Sequence, residues 1–264
     1  MGEGTRPSPA ELEALGAELH RALRGRAPVA PLKARYPGLD IDGAYQISRA
    51  MLALRLADGE RVIGKKIGVT SRAVQDMLGV HQPDFGYLTD AMRRDGEISI
   101  TRDLIQPRAE GELAFVLSRD LIGPGVTPAD ALAATASVHA CFEVVDSRIR
   151  DWRIGIEDTV ADNASSGVFV VGPPADPAGV DFEGCEMVVT KNGRPLSRGF
   201  GRAALGSPLI CVAWLANTMG RFGVPLRAGE VILSGSLVPL EPVAPGDHMH
   251  VAVAGVGETE VRFT

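Results

Sequence analysis

Leu12, Leu15, Leu19 and Leu23 recur at helical spacing in "SPAELEALGAELHRAL", which predicts one amphipathic helix. Ser8 stands as its N-cap, Pro9 occupies the first helical position and Glu11 closes a capping box. A short flexible tail is expected ahead of it. A second helix is expected over "IDGAYQISRAMLALRLADG", with Asp42 as its cap and Gly59 as its stop. After Arg61 the texture changes, and short runs rich in Val, Ile and Phe alternate with Gly and Pro turns: "RVIGKKIGV", "ELAFVLS", "VHACFEVVDSRI", "SGVFVVG", "EMVVTKNGRPL", "EVILSGSL", "HMHVAVAGVG" and "TEVRFT". Asn-Gly in "KNGR" signals a tight hairpin, and "VGPPADPAGVD" reads as a surface connection. One further helix, "SPLICVAWLANTMGRFG", interrupts the strands. The pattern predicts an α+β protein with a helical N-terminal segment over residues 1–60. A rolled, mostly antiparallel mixed β-core follows over 61–264.

Composition narrows the function. A chain of 264 residues with 45% hydrophobic content can bury a sizeable core. A net charge of -6 and a pI near 5.4 give no electrostatic footprint for nucleic acid. The N-terminus has no basic segment followed by an apolar one, and no run approaches 18 uninterrupted apolar residues, so a soluble cytoplasmic protein is expected without a membrane partner. Cys141, Cys185 and Cys211 form no CxxC and read as small core residues. "GFGRAA" matches a dinucleotide fingerprint in letters, yet no buried strand precedes it. His248 and His250 share a strand face and read as solvated strand-edge residues rather than metal ligands.

The carboxylates carry more. In "IQPRAEGELAFVL" Glu110 and Glu112 stand side by side on one face of a strand, where their charges repel. Glu143 lies inside the apolar strand "HACFEVVDSRI", with Cys141 and Val145 on its face. A buried carboxylate without a partner is costly. Three converging on one point suit Mg²⁺ or Mn²⁺, with the rest of the shell left to water and substrate oxygens. The alternative is an exposed strand entry for Glu110 and Glu112, with Glu143 paired to an arginine such as Arg148. Spacing alone leaves both readings open.

Five blocks, "GKKIGVTSRAVQDMLGVHQPDFGYL", "QPRAEGELAFVL", "FEVVDSRIRDW", "DTVADNASSGVFVVG" and "AGEVILSGSLVPLEPV", resemble the 2-keto-4-pentenoate hydratase family of the fumarylacetoacetate hydrolase superfamily, in that family's order. The resemblance implies that fold and a divalent metal, Mg²⁺ or Mn²⁺, held by Glu110, Glu112 and Glu143. It implies a catalytic lysine at Lys66, with Lys65 on the opposite strand face, and a proton relay at Asp84 on a loop near the pocket. Read without it, Lys66 is a surface lysine and Asp84 caps a turn. Ser165, Ser166 and Ser234 fall where hydroxyls bind the substrate carboxylate, although turn or strand hydroxyls explain them equally well. Asp146 and Arg148 read as an ion pair behind Glu143, and Phe85, Leu88 and Val238 as the apolar end of the pocket.

The implied activity is hydration of 2-hydroxypenta-2,4-dienoate to 4-hydroxy-2-oxopentanoate in meta-cleavage degradation of aromatic compounds. The implied partners are that small dienoate, further copies of the chain in a homo-oligomer, and a decarboxylase paralogue or downstream aldolase. The sister 4-oxalocrotonate decarboxylase and a non-catalytic subunit remain alternatives, the latter disfavoured by the intact Lys66 and three glutamates. A C-C hydrolase would need a Glu-His pair that His81 and His139 do not supply.

Overall fold

The computed structural model describes residues 5–264; the first four residues of the expected tail lie outside them. Helix α1 (Pro9–Gly25) begins at Ser8 with the capping box to Glu11 in place. Helix α2 (Ile41–Ala57) is capped by Asp40, whose carboxylate accepts the Gly43 N–H, and not by Asp42, which lies in its first turn. The two helices pack through Leu12, Leu15, Leu19, Ile47 and Met51, and the same cluster takes in Ile149, Val160 and Ala161 from beyond residue 61.

The β-core is two sheets. Its main strands are β1 (Val62–Gly68), β2 (Asp84–Thr89), β3 (Pro107–Leu117), β4 (Thr135–Asp146), β5 (Ser166–Val171), β6 (Glu186–Lys191) and β7 (Arg194–Phe200). Helix α3 (Pro208–Gly220) follows, then β8 (Val231–Leu233), β9 (His248–Val253) and β10 (Gly257–Phe263). The first sheet runs β2-β1-β8-β3-β4-β5 with Arg93–Arg94 at its edge, and the second runs from Glu97–Ile98 through β10, β9 and β6 to β7. Pairing is mostly antiparallel. The exceptions are β1 with β8, β5 with Arg93–Arg94 and β10 with Glu97–Ile98. The β6–β7 hairpin turns at Asn192 and Gly193, both at positive φ, as an Asn-Gly turn requires. Leu113, Phe115 and Phe142 of the first sheet meet Met187, Val189, Met249 and Val251 of the second in the main core.

Two expectations change here. Residues 84–89 form a strand rather than a loop, because the short run around Gly86 finds its ladder only by pairing with β1. His248 and His250 lie on an interior strand between β10 and β6, half-buried, and face Glu260 and Glu258 at 3.0 and 3.2 Å. Segment Gly201–Gly220 reaches the length and hydropathy of a membrane span, but half of it is buried. Its regular α-helix, Pro208–Gly220, has 13 residues and packs Cys211, Val212, Leu215 and Met219 into the core. All three cysteines are buried, as expected.

Candidate metal centre

Strand register gathers the charged residues. Glu110 is the in-register partner of Glu143, and Glu112 that of Cys141, so all four side chains share one face of the sheet. Across β3, β8 and β1 the partners Ala114, Leu233 and Lys66 carry that face onward, and β2 completes it, with Asp84 opposite Gly68 and Leu88 opposite Gly64. Leu88, Ala114, Cys141, Phe169 and Leu233 form an apolar cluster beside these charges. Phe85 points the other way, stacked on Tyr45 with ring centroids 4.3 Å apart, and Val238 also belongs to the main core. Of the three expected apolar pocket residues, only Leu88 shares the charged face.

Glu110, Glu112 and Glu143 each offer an oxygen within 4.8 Å of the others. Glu112 and Glu143 are 1% exposed, whereas Glu110 is partly open. One Glu112 oxygen accepts the Gly235 N–H at 2.8 Å, and neither Glu143 oxygen accepts a hydrogen bond. Burial, then the charge of Glu143, pushes Glu110 up to about 8, and the same causes raise Glu112 well above the carboxylate range. Lys66, also buried, stands 3.3 Å from Glu143 Oε1 in an ion pair without hydrogen-bond alignment. Burial opposes its ammonium, but Glu143, Asp84, Glu110 and Glu112 outweigh it and hold the pKa above the usual lysine value. The surface-lysine reading of Lys66 fails.

Asp84 is 1% exposed, neither of its oxygens has a hydrogen-bond partner, and burial pushes it up to about 6. A Cβ at Gly68 would lie 2.4 Å from Asp84 Oδ1 and 3.2 Å from Lys66 Nζ, so the missing side chain lets acid and ammonium approach. Among the described residues, three glutamates and an aspartate face a single lysine. That excess negative charge, with orphaned oxygens, fits a hard divalent cation.

The serines divide. Ser165 Oγ is buried and unpartnered, whereas Ser166 Oγ donates to the Asn163 carbonyl and Ser234 Oγ to that of Leu113. Arg148 does not pair with the Asp146 carboxylate, which instead accepts the N–H groups of Ile105 and Gln106. The fully buried Arg148 binds Asp162 through Nε at 2.5 Å and donates to the carbonyls of Asp146, Ser166 and Asp162. Asp162 was not singled out from the sequence; "DTVADNASSG" contains it, but its partner lies 14 residues away and only the fold joins them. Lys65, on the opposite face as expected, is no surface residue either, since it binds Glu230 at 2.5 Å. His139 is bonded to Ser137 and the Gly172 carbonyl.

Residues 68–264 match the model of the fumarylacetoacetate (FAA) hydrolase C-terminal family. The chain is 56% identical to a 2-hydroxyhexa-2,4-dienoate hydratase of Comamonas testosteroni over 257 residues, covering 96% of this chain and 97% of the relative. It is 64% identical to a 2-hydroxypent-2,4-dienoate hydratase of Pseudomonas putida over 213 residues, 80% of this chain and 96% of the relative. The chain belongs to the 2-keto-4-pentenoate hydratase family within the fumarylacetoacetate hydrolase superfamily. A solved superfamily structure, 4-oxalocrotonate decarboxylase from Pseudomonas putida G7 complexed with magnesium and adipate, superposes with a TM-score of 0.93 at 32% identity. The match covers 98% of this chain and 100% of the decarboxylase chain. The fold shared with this decarboxylase therefore extends over the N-terminal helices as well as the β-core.

Proposed function

We propose that this chain hydrates 2-hydroxypenta-2,4-dienoate to 4-hydroxy-2-oxopentanoate, with Mg²⁺ or Mn²⁺ held by Glu110, Glu112 and Glu143. The observation that carries the reading is the convergence of these three carboxylates, Lys66 and Asp84 on one sheet face. Bound there, the cation would supply Lewis-acid stabilisation to developing enolate charge on a 2-oxo acid. Lys66 adds positive charge for the substrate anion. Asp84, with a pKa near 6, holds or releases a proton near neutrality. One proton leaves the 2-hydroxyl and one reaches C5, giving the 3-enoate; water then places its hydroxyl on C4 and its proton on C3. In this reading Asp84 carries these protons. Ser165 Oγ is free to donate to the substrate carboxylate, while Ser166 and Ser234 could do so only by turning from the carbonyls they now bind.

In this reading residues 1–60 form a helical segment against a catalytic domain over 61–264. The enzyme works in the cytoplasm as a homo-oligomer in meta-cleavage catabolism and associates with a decarboxylase paralogue or downstream aldolase. Decarboxylation of a 4-oxalocrotonate-like substrate is the second reading, favoured by the near-complete superposition on that decarboxylase. The higher identity to dienoate hydratases favours hydration. The test gives 2-hydroxypenta-2,4-dienoate to the Mn²⁺-reconstituted protein and follows loss of dienol absorbance with product identification. No metal-dependent loss would reject hydration.

A further inference from the structure

Strand β3 sets Arg108, Glu110 and Glu112 on one face, and their in-register partners on β4 are Val145, Glu143 and Cys141. Arg108 therefore stands about 7 Å along the strand from Glu110. Exposure falls in the same order: Arg108 and Glu110 are half-buried, whereas Glu112 and Ala114 are buried, so along β3 the charged face opens at its Arg108 end. Across Val145 the register continues to Ser166 on β5, the neighbour of Ser165, whose buried Oγ has no partner.

The guanidinium of Arg108 is held but not neutralised. Its carbon lies 4.8 Å from the centroid of the Trp152 ring, and among the described residues no carboxylate pairs with it. Trp152 is itself fixed, because its indole N–H donates to the Gln106 carbonyl at 2.8 Å and the Asp151 N–H donates to Gln106 Oε1 at 3.1 Å. Asp151 and Trp152 both take positive φ, 58° and 53°, a conformation that such residues keep only where their surroundings enforce it. A strained turn thus presents an aromatic platform to a cation that no acid of the described chain uses.

We propose that Arg108 is a substrate-binding residue, taking the carboxylate of the 2-oxo acid at the open end of the face, with the Ser165 hydroxyl opposite. This deepens the hydratase reading and rests on it. The planar guanidinium offers paired N–H donors to a carboxylate, and stacking on the indole orders the fork before substrate arrives. Lys66 lies further in, beside Asp84. The two cations would set the direction of the substrate, carboxylate outward and diene inward to the acid that exchanges its protons.

The test reads binding apart from turnover. Unreactive 2-oxopentanoate is titrated by calorimetry into the Mn²⁺-loaded protein and its Arg108→Met, Arg108→Lys and Trp152→Leu variants, and Mn²⁺ into the metal-free forms. In Arg108→Met the affinity for 2-oxopentanoate should fall at least about tenfold, and Arg108→Lys should recover part of it. Trp152→Leu should weaken 2-oxopentanoate in the same direction with the charge still present. Mn²⁺ affinity in Arg108→Met should stay equal or rise, because a cation near the dication has gone; a merely structural role would lower it. For the dienoate, KM should rise while kcat changes less than about threefold, since the contact is equal in ground and transition states. Affinity for 2-oxopentanoate within about twofold of the unaltered protein in Arg108→Met, or an equal loss of Mn²⁺ affinity, overturns the assignment. Hydration with KM unmoved in Arg108→Met rejects the role of Arg108 alone; Arg108-dependent binding of 2-oxopentanoate without hydration of the dienoate rejects the function alone.

Discussion

The ammonium of Lys66 stands 3.3 Å from Glu143 Oε1, and both side chains are buried on the face that also carries Glu110, Glu112 and Asp84. Among the described residues the lysine is thus the one cation that pairs with a carboxylate of that face.

Removing that charge should separate catalysis from metal binding. In Lys66→Met, Mn²⁺ affinity measured by calorimetry should stay within about tenfold of the unaltered protein, since the three glutamates remain. Turnover of the dienoate should fall at least about a hundredfold, equivalent to roughly 2.7 kcal/mol of lost transition-state stabilisation. Unaltered turnover in this variant would leave Lys66 a structural counter-ion.

Glu112→Gln keeps the shape of the side chain and removes one of three charged ligands. Mn²⁺ affinity and turnover should both drop by at least about tenfold. The circular dichroism spectrum should be unchanged. Full-strength Mn²⁺ binding in this variant would rule out Glu112 as a ligand.

Acidity should act oppositely on the metal-free and metal-loaded protein. Glu110 is held at about 8 and Glu112 is raised, both mainly by burial, so between an ordinary carboxylate pKa and 8 the folded state binds more protons than the unfolded one. Stability without metal therefore falls as pH rises through that window. Metal binding expels those protons, and affinity should climb over the same range. Thermal melts in chelator and in Mn²⁺ from about pH 5 to about 8.5 read both trends; a chelated protein more stable at the alkaline end than at the acid end would contradict the first.

The Arg148–Asp162 pair is a buried lock. Asp162→Asn removes the one carboxylate that binds the guanidinium and leaves its charge facing only backbone carbonyls, those of Asp146 and Ser166 among them. The fold should lose about 3–5 kcal/mol in urea unfolding. A loss below about 1 kcal/mol would mean that those carbonyls alone satisfy Arg148.

Strand periodicity made Glu110 and Glu112 legible as one-face neighbours, and Ser8, Pro9 and Glu11 announced the first helix, because both signals lie within a few residues. Asp84 was expected near the site but on a loop: "PDFGYLT" is short, holds a proline and a glycine, and becomes a strand only through β1. The Arg148 partner was misassigned for a similar reason. Asp146 is nearer in sequence, but its carboxylate already accepts backbone N–H groups across the strand end. The parallel pairing of β1 with β8, which aligns Lys66 with Leu233 and hence with Ala114 beside Glu112, joins segments too distant for any local pattern to report.

Lys65 and Lys66 are chemically identical and adjacent, and the pleat alone gives one a structural carboxylate at Glu230 and the other the anionic face. A single-residue insertion or deletion just ahead of them would therefore not weaken the site by degrees. An insertion would carry Lys65 into the place of Lys66 and leave Glu230 without its lysine, whereas a deletion would carry Lys66 to Glu230 and leave Glu143 without one, and the composition of the strand would give no sign of either.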